Sequence, residues 1–172
     1  LKIESPTSTS DTQPPKVAWA LVLDNSYSMN DEATVKNDDG DNVKHGWSIL
    51  DISKHMVKTI VHCMNQNDYL CVVRYSSIVE VIFDWKQMTQ ENVDQVISKV
   101  NALKPDQATN MKDALIKGIE CMKKVPCGED YAKSMIFLTD GKPSAQFHPP
   151  RGEEGYGPLV KTLRDGTDFE MV

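Results

Sequence analysis

The segment Asp24-Asn25-Ser26-Tyr27-Ser28 carries a carboxylate and two hydroxyls at alternate positions. An unbroken apolar stretch, residues 17–23, leads straight into it, and a second strand-like stretch, 134–139, ends in Asp140. Runs buried on both faces mark central strands of a parallel sheet. In such sheets ligands bind beyond the carboxyl ends of the strands, so both carboxylates should arrive at one edge. Like charges brought together repel unless a proton or a cation lies between them. Carboxylate and hydroxyl oxygens suit a hard, octahedral cation, Mg²⁺ or Mn²⁺ in its place, far better than zinc. The competing reading is a Ser/Asn/Asp-rich turn that caps a helix, and this segment alone leaves both open.

The elements that must position these residues follow from hydrophobic spacing. Residues 48–65 place Ile49, Ile52, Met56, Ile60 and Cys63 three and four apart, the stripe of an amphipathic helix. Strands are expected at 69–75 and 78–83, joined as a hairpin at Ser76-Ser77. Two further helical stripes are Val93, Val96, Ile97, Val100 and Leu103, then Met111, Leu115, Ile119 and Met122. Residues 143–158 are rich in Pro and Gly and read as a loop, 159–164 as a short helix, and 169–172 as the opening of a strand. Strand and helix alternate apart from the one hairpin. The expected fold is α/β, Rossmann-like and doubly wound, with a mainly parallel central sheet, flanking helices and one antiparallel edge strand. Residues 1–15, rich in Ser, Thr and Pro, read as a tail, leaving 16–172 as the domain.

Composition narrows the function classes. The chain has 172 residues and a net charge of −6, from 19 Lys and Arg against 25 Asp and Glu. That length suits one domain burying roughly 70% of its unfolded surface. An acidic balance argues against nucleic acid as a partner, since binding it needs a basic face. No apolar run reaches the ~18 residues of a membrane span. Cys63 and Cys71 lie in apolar runs and read as buried thiols, whereas Cys121 and Cys127 could close a small loop in a secreted protein. No C-x-x-C spacing and no Asn-x-Ser/Thr sequon occurs, and a cytoplasmic setting is expected.

With Ala108-Thr109-Asn110 and Phe137-Leu138-Thr139-Asp140-Gly141, the first segment resembles the metal-ion-dependent adhesion site of von Willebrand factor type A domains. The resemblance covers residues 17–172 and implies that Ser26 and Ser28 bind a cation directly. It implies that Thr109 does so in one conformational state, and that Asp24 and Asp140 act directly or through water. The open coordination position would accept an acidic residue of a partner protein. The family sheet has six strands, so the C-terminal strand and helices are expected to be missing from this stretch. Gln107-Ala108 stands where the family has Gly-Gly. The run from Gly46 through Ile60 is similar to intracellular, multidomain members, in which the domain accompanies ubiquitin-ligase or Hint-type modules.

The physical logic of such a site favours binding over catalysis. Hydroxyl ligands carry no formal charge, so the cation keeps most of its own and attracts a carboxylate. Catalysis would need a positioned base or nucleophile. His45, His55, His62 and His148 form no recognisable catalytic arrangement, and no phosphate-binding or nucleophile-elbow motif occurs. The alternatives are a metal-assisted phosphoryl-transfer or hydrolytic enzyme using Asp24, and a metal-independent scaffold. Ser26 stands where the former would carry a second acid. The insertion Asn30 to Gly46, with Asp38, Asp39 and Asp41, reads as a solvated acidic turn rather than a calcium loop. Together with Asn25 and Tyr27 these aspartates are expected to form a partner-binding rim. Trp47 is expected to start the first helix.

Overall fold

A computed structural model describes residues 15–37, 39–165, 170 and 171. Strand β1 (Lys16–Asp24) is followed by a hairpin of β2 (Glu32–Lys36) and β3 (Asn42–Ser48). Then come α1 (Ile49–Cys63), β4 (Tyr69–Tyr75), β5 (Val79–Gln87), α2 (Gln90–Asn101), α3 (Met111–Met122), β6 (Tyr131–Leu138), α4 (Tyr156–Arg164) and β7 (Glu170–Met171). The main sheet has the order β5-β4-β1-β6-β7. β1 pairs in parallel with β4 and β6, β6 with β7, and β5 alone runs antiparallel. The expected mixed, mainly parallel α/β sheet is therefore present. Among the described residues no helix is long and apolar enough to cross a membrane.

The apolar run of β1 is explained by burial on both faces. Leu21 and Leu23 join Val57, Val61, Val72, Val96 and Val100 under α1 and α2. Ala20 and Val22 join Val73, Tyr75, Leu115, Ile119 and Met135 on the face covered by α3. Gly118 brings α3 close to the sheet: a Cβ there would lie 2.5 Å from Met135 Sδ and 2.9 Å from Val22 Cγ2. The chain leaves β1 for β4 on one side and later returns to β6 on the other. The carboxyl end of β1 thus borders the crevice where such folds place ligands.

Three expectations need correction. The insertion contains an antiparallel hairpin and is not merely a turn: β-branched Thr34, Val35 and Val43 suit paired strands, with Val35 opposite Val43. Its tip is closed by the Asn37 side-chain oxygen, which accepts from the amides of Asp39 (3.1 Å) and Asp41 (2.7 Å). Trp47 accordingly lies in β3, 54% exposed, with its ring edge-on to His55. Helix α1 also buries a different row from the one expected: Leu50, Ser53, Val57 and Val61. Ile52 and Met56 are each 42% exposed and Cys63 faces solvent. The helix carries two interleaved apolar rows one residue apart, about 100° around its axis. The packing of the sheet selects the row of β-branched valines.

Strand limits shift for local reasons. β5 continues past Asp84 because a register irregularity against β4 absorbs it, and Asp84 Oδ1 accepts from the Trp85 amide at 2.8 Å. β6 starts at Tyr131, where it pairs with Lys16 of β1. Trp19 is half-buried against the core, and Trp85 Nε1 donates to the Cys121 carbonyl at 2.9 Å. Cys71 and Cys121 are buried, whereas Cys63 is exposed. Of the expected tail 1–15 only Pro15 is among the described residues, and Asp38, Phe169 and Val172 lie outside them.

Candidate functional site

β1 ends in Asp24, which is fully buried. The chain then turns sharply: Asp24 Oδ1 accepts from the Ser26 amide at 2.8 Å, and a short 3-10 turn, Tyr27–Asn30, follows. Buried Met29 anchors that turn. The turn brings Ser26 and Ser28 side by side, with their Oγ atoms 3.3 Å apart. From the end of β6, Thr139 Oγ1 donates to Asp24 Oδ2 at 3.0 Å. Asp24, Ser26 and Ser28 are thus drawn together, with Thr139 as a fourth oxygen-bearing side chain.

Burial pushes the Asp24 carboxyl above the ordinary carboxylate range, and hydrogen bonds from Ser26 and Thr139 pull it only partly back. Asp140 follows directly after Thr139. Its side chain is 3% exposed, and Oδ1 accepts from the Lys142 amide at 3.0 Å. Oδ2 is buried and makes no hydrogen bond to any described residue, while the Lys142 ammonium stands 3.7 Å away. That ammonium also reaches Asp31 Oδ2 at 3.5 Å, which ties the site to the base of the β2–β3 hairpin.

Thr109 belongs to the loop between α2 and α3 and is held by its backbone. Its amide donates to Ser144 Oγ (3.0 Å), and its carbonyl accepts from the Ser144 amide (3.1 Å). The same loop is latched to the first segment by Asp106 N to Asn25 O (2.8 Å) and Tyr27 N to Gln107 O (3.0 Å). Gln107 takes a left-handed backbone, φ 35°, and its Oε1 accepts from Ser77 Oγ at 2.6 Å. A glycine would adopt that conformation without the Cβ penalty, so the Gln107 contacts hold a strained backbone in place.

The expected rim divides. Tyr27 is exposed, and Asp39 and Asp41 lie at the exposed hairpin tip. Asn25 is not a rim residue: it is 2% exposed, and its Nδ2 donates to the Lys104 carbonyl at 3.0 Å. The middle residue of the turn faces inward to secure the Thr109 loop. Ser144 and Tyr75 had not been singled out. Ser144 lies in a Pro-rich loop and gave no periodic signal. Tyr75 could have been found, because it ends its strand as Asp24 ends β1.

A sequence profile of the von Willebrand factor type A domain matches residues 19–142, from β1 to just past Asp140. The chain belongs to the von Willebrand factor type A family. Its curated relatives include inter-alpha-trypsin inhibitor heavy chain H1 of Bos taurus, 28% identical over 122 residues, which are 66% of this chain and 12% of that protein. The human form is 29% identical over 100 residues, 54% of this chain and 11% of that one. The chain therefore spans a small part of the length of the curated relatives it matches.

Among solved structures, a von Willebrand factor type A protein from Catenulispora acidiphila superposes with a TM-score of 0.64 at 15% identity. It covers 87% of this chain and 30% of that one. The PilB minor pilin of Streptococcus sanguinis superposes with a TM-score of 0.57 at 22% identity, covering 77% of this chain and 32% of that one. At these identities the likeness speaks for the fold. Type A domains are generally protein-interaction or adhesion modules.

Proposed function

We propose that this type A domain binds its partner through a divalent cation, Mg²⁺ or Mn²⁺, held by Asp24, Ser26, Ser28, Thr109 and Asp140. The carrying observation is the buried Asp140 Oδ2, which makes no hydrogen bond to any described residue and lies directly after Thr139, whose hydroxyl bonds the buried Asp24 carboxylate. Buried carboxylate oxygens call for a compensating charge. The donor set, carboxylates and hydroxyls with no thiolate or imidazole, fits a hard cation. When bound, the cation supplies a Lewis-acidic position that an acidic side chain of a partner protein can fill. Ser26 and Ser28 would hold it without neutralising it, and Asp24 and Asp140 would orient its shell. The Ser144 and Gln107 contacts would fix Thr109 beside it. The partner is a protein presenting Asp or Glu.

The test measures binding of an acidic peptide display to the chain with Mg²⁺ and with EDTA. Binding should need the cation and fall by about tenfold or more in Ser26→Ala with Ser28→Ala, the scale of loss for a weakened metal site. Equal binding in EDTA would refute the metal reading and leave a metal-independent scaffold. A second prediction concerns the acidic hairpin tip. Exchanging Asp38, Asp39 and Asp41 for Asn should weaken partner binding more at low salt than at high salt, because exposed charges are screened within a Debye length of about 8 Å at physiological ionic strength. An equal loss at both salts would remove the hairpin from partner selection.

A further inference from the structure

Tyr75 closes β4 as Asp24 closes β1, and the parallel register sets the two residues side by side. Strand alternation puts both on the α3 face: Ala20 and Val22 precede Asp24 there, and Cys71 and Val73 precede Tyr75. On β6 the same alternation runs through Met135 and Phe137 to Thr139, whose hydroxyl already bonds Asp24. The Tyr75 side chain is fully buried, its ring packed at 5.3 Å and 40° against Phe137. A phenylalanine would fill that space equally well. The additional oxygen lies within electrostatic reach of Asp24, Thr139 and Asp140, yet outside hydrogen-bond geometry with any described residue. Two buried polar atoms without a hydrogen bond to any described residue thus lie on either neighbour of β1's end: Tyr75 Oη on the residue paired with Asp24, and Asp140 Oδ2 on the residue after Thr139.

A buried phenol hydroxyl ordinarily finds an acceptor. Beside the Thr139 hydroxyl, the acceptors within reach are the carboxylates that the metal reading assigns to the cation. We infer that Tyr75 is a positioning residue of the cation site, whose hydroxyl donates to the Asp24–Asp140 carboxylates from the core side when a cation draws them into their ligating arrangement. The inference rests on that metal reading and adds a residue to it. The core-side bond fixes carboxylate orientation, which is how residues behind the ligands set metal affinity.

Tyr75→Phe removes the oxygen and keeps the ring. Since the hydroxyl makes no hydrogen bond to any described residue, the variant should melt in EDTA at or above the wild-type temperature. Its Mg²⁺ and Mn²⁺ dissociation constants, titrated calorimetrically with the metal alone, should rise by about tenfold or more, the range seen when such supporting contacts are lost. Phe137→Leu disturbs the same ring packing without touching the hydroxyl, and should lower the melting temperature while leaving the dissociation constants within about twofold, well below that range. The inference is overturned if Tyr75→Phe binds metal as wild type does, or if Phe137→Leu weakens binding as much. Wild-type protein that binds neither metal would overturn the metal reading itself, and Tyr75's part with it.

Discussion

Replacing Gly118 by valine should lower the stability of the domain by about 3 kcal/mol, the upper part of the range for overpacking a filled core. At this chain length that corresponds to a fall in melting temperature of about 6–12 °C. The cause is the approach of α3 to the sheet. A single Cβ at Gly118 already meets Met135 Sδ at 2.5 Å and Val22 Cγ2 at 2.9 Å. The Met135 thioether can swing aside, but Val22 is β-branched and sits on the central strand with Ala20 and Leu21 locked behind it. Valine adds two methyl groups to this contact, so α3 must move.

That movement would reach the candidate site, because α3 begins at Met111, directly after the Thr109-Asn110 segment. Gly118→Ala should cost less than half as much. Its clash falls mainly on the flexible methionine, and alanine gains about 1 kcal/mol of helix propensity over glycine. Urea and thermal unfolding of both variants check the ranking. A valine variant melting within about 2 °C of wild type would correspond to less than about 1 kcal/mol. It would show that α3 is not seated as closely as these distances require.

The legible parts of the fold were those in which burial leaves no choice of face. β1 and β6 are covered on both sides, so their sequences are apolar throughout, and each delivers its carboxylate where the run stops. α2 and α3 each carry one dominant stripe, and Val93, Val96 and Val100, or Leu115, Ile119 and Met122, are the residues they bury. α1 is ambiguous in sequence because it offers two apolar rows, and only tertiary contact distinguishes Leu50, Val57 and Val61 from Ile52 and Met56. The hairpin is hidden in the sequence because a polar stretch with Asp39, Gly40 and Asp41 separates its strands, which are short and exposed.

Within the site, the residues offering oxygen atoms could be read from their spacing. What holds them could not. Asn25 looks like one more surface polar residue in a turn, yet it ties β1 to the Lys104 carbonyl. Ser144 is joined to Thr109 across 35 positions of sequence, a contact that no local pattern encodes.

Asp24→Asn should shift stability in opposite directions with and without metal. With no cation bound, burial should hold the Asp24 carboxyl above its ordinary value of 3.8. The native state therefore binds more protons than the unfolded chain between that value and the raised one, and stability falls as pH rises through this window. Below it the carboxyl is protonated in both states and carries no penalty. Above the raised value the penalty is fully present. Asparagine keeps an oxygen for the Ser26 amide and a polar partner for Thr139, but has no charge to desolvate. In EDTA the variant should thus melt above wild type at pH 7, with the difference shrinking as pH falls toward 4.

Added Mg²⁺ reverses the order. At a hundred times its dissociation constant, a bound ligand stabilises the native state by about 2.7 kcal/mol, or about 5–10 °C for a chain of this length. Wild type should gain that increment, and the variant, lacking the anionic ligand, should gain little of it. Parallel melts across pH, with EDTA and with Mg²⁺, decide the matter. If Asp24→Asn melts below wild type in EDTA at pH 7, the buried carboxylate stabilises the metal-free fold, and the case for a compensating cation is lost. If both proteins gain equally from Mg²⁺, the cation binds elsewhere. The crossing of the two stability orders, rather than a fall in either alone, is the signature of a buried carboxylate retained for a cation.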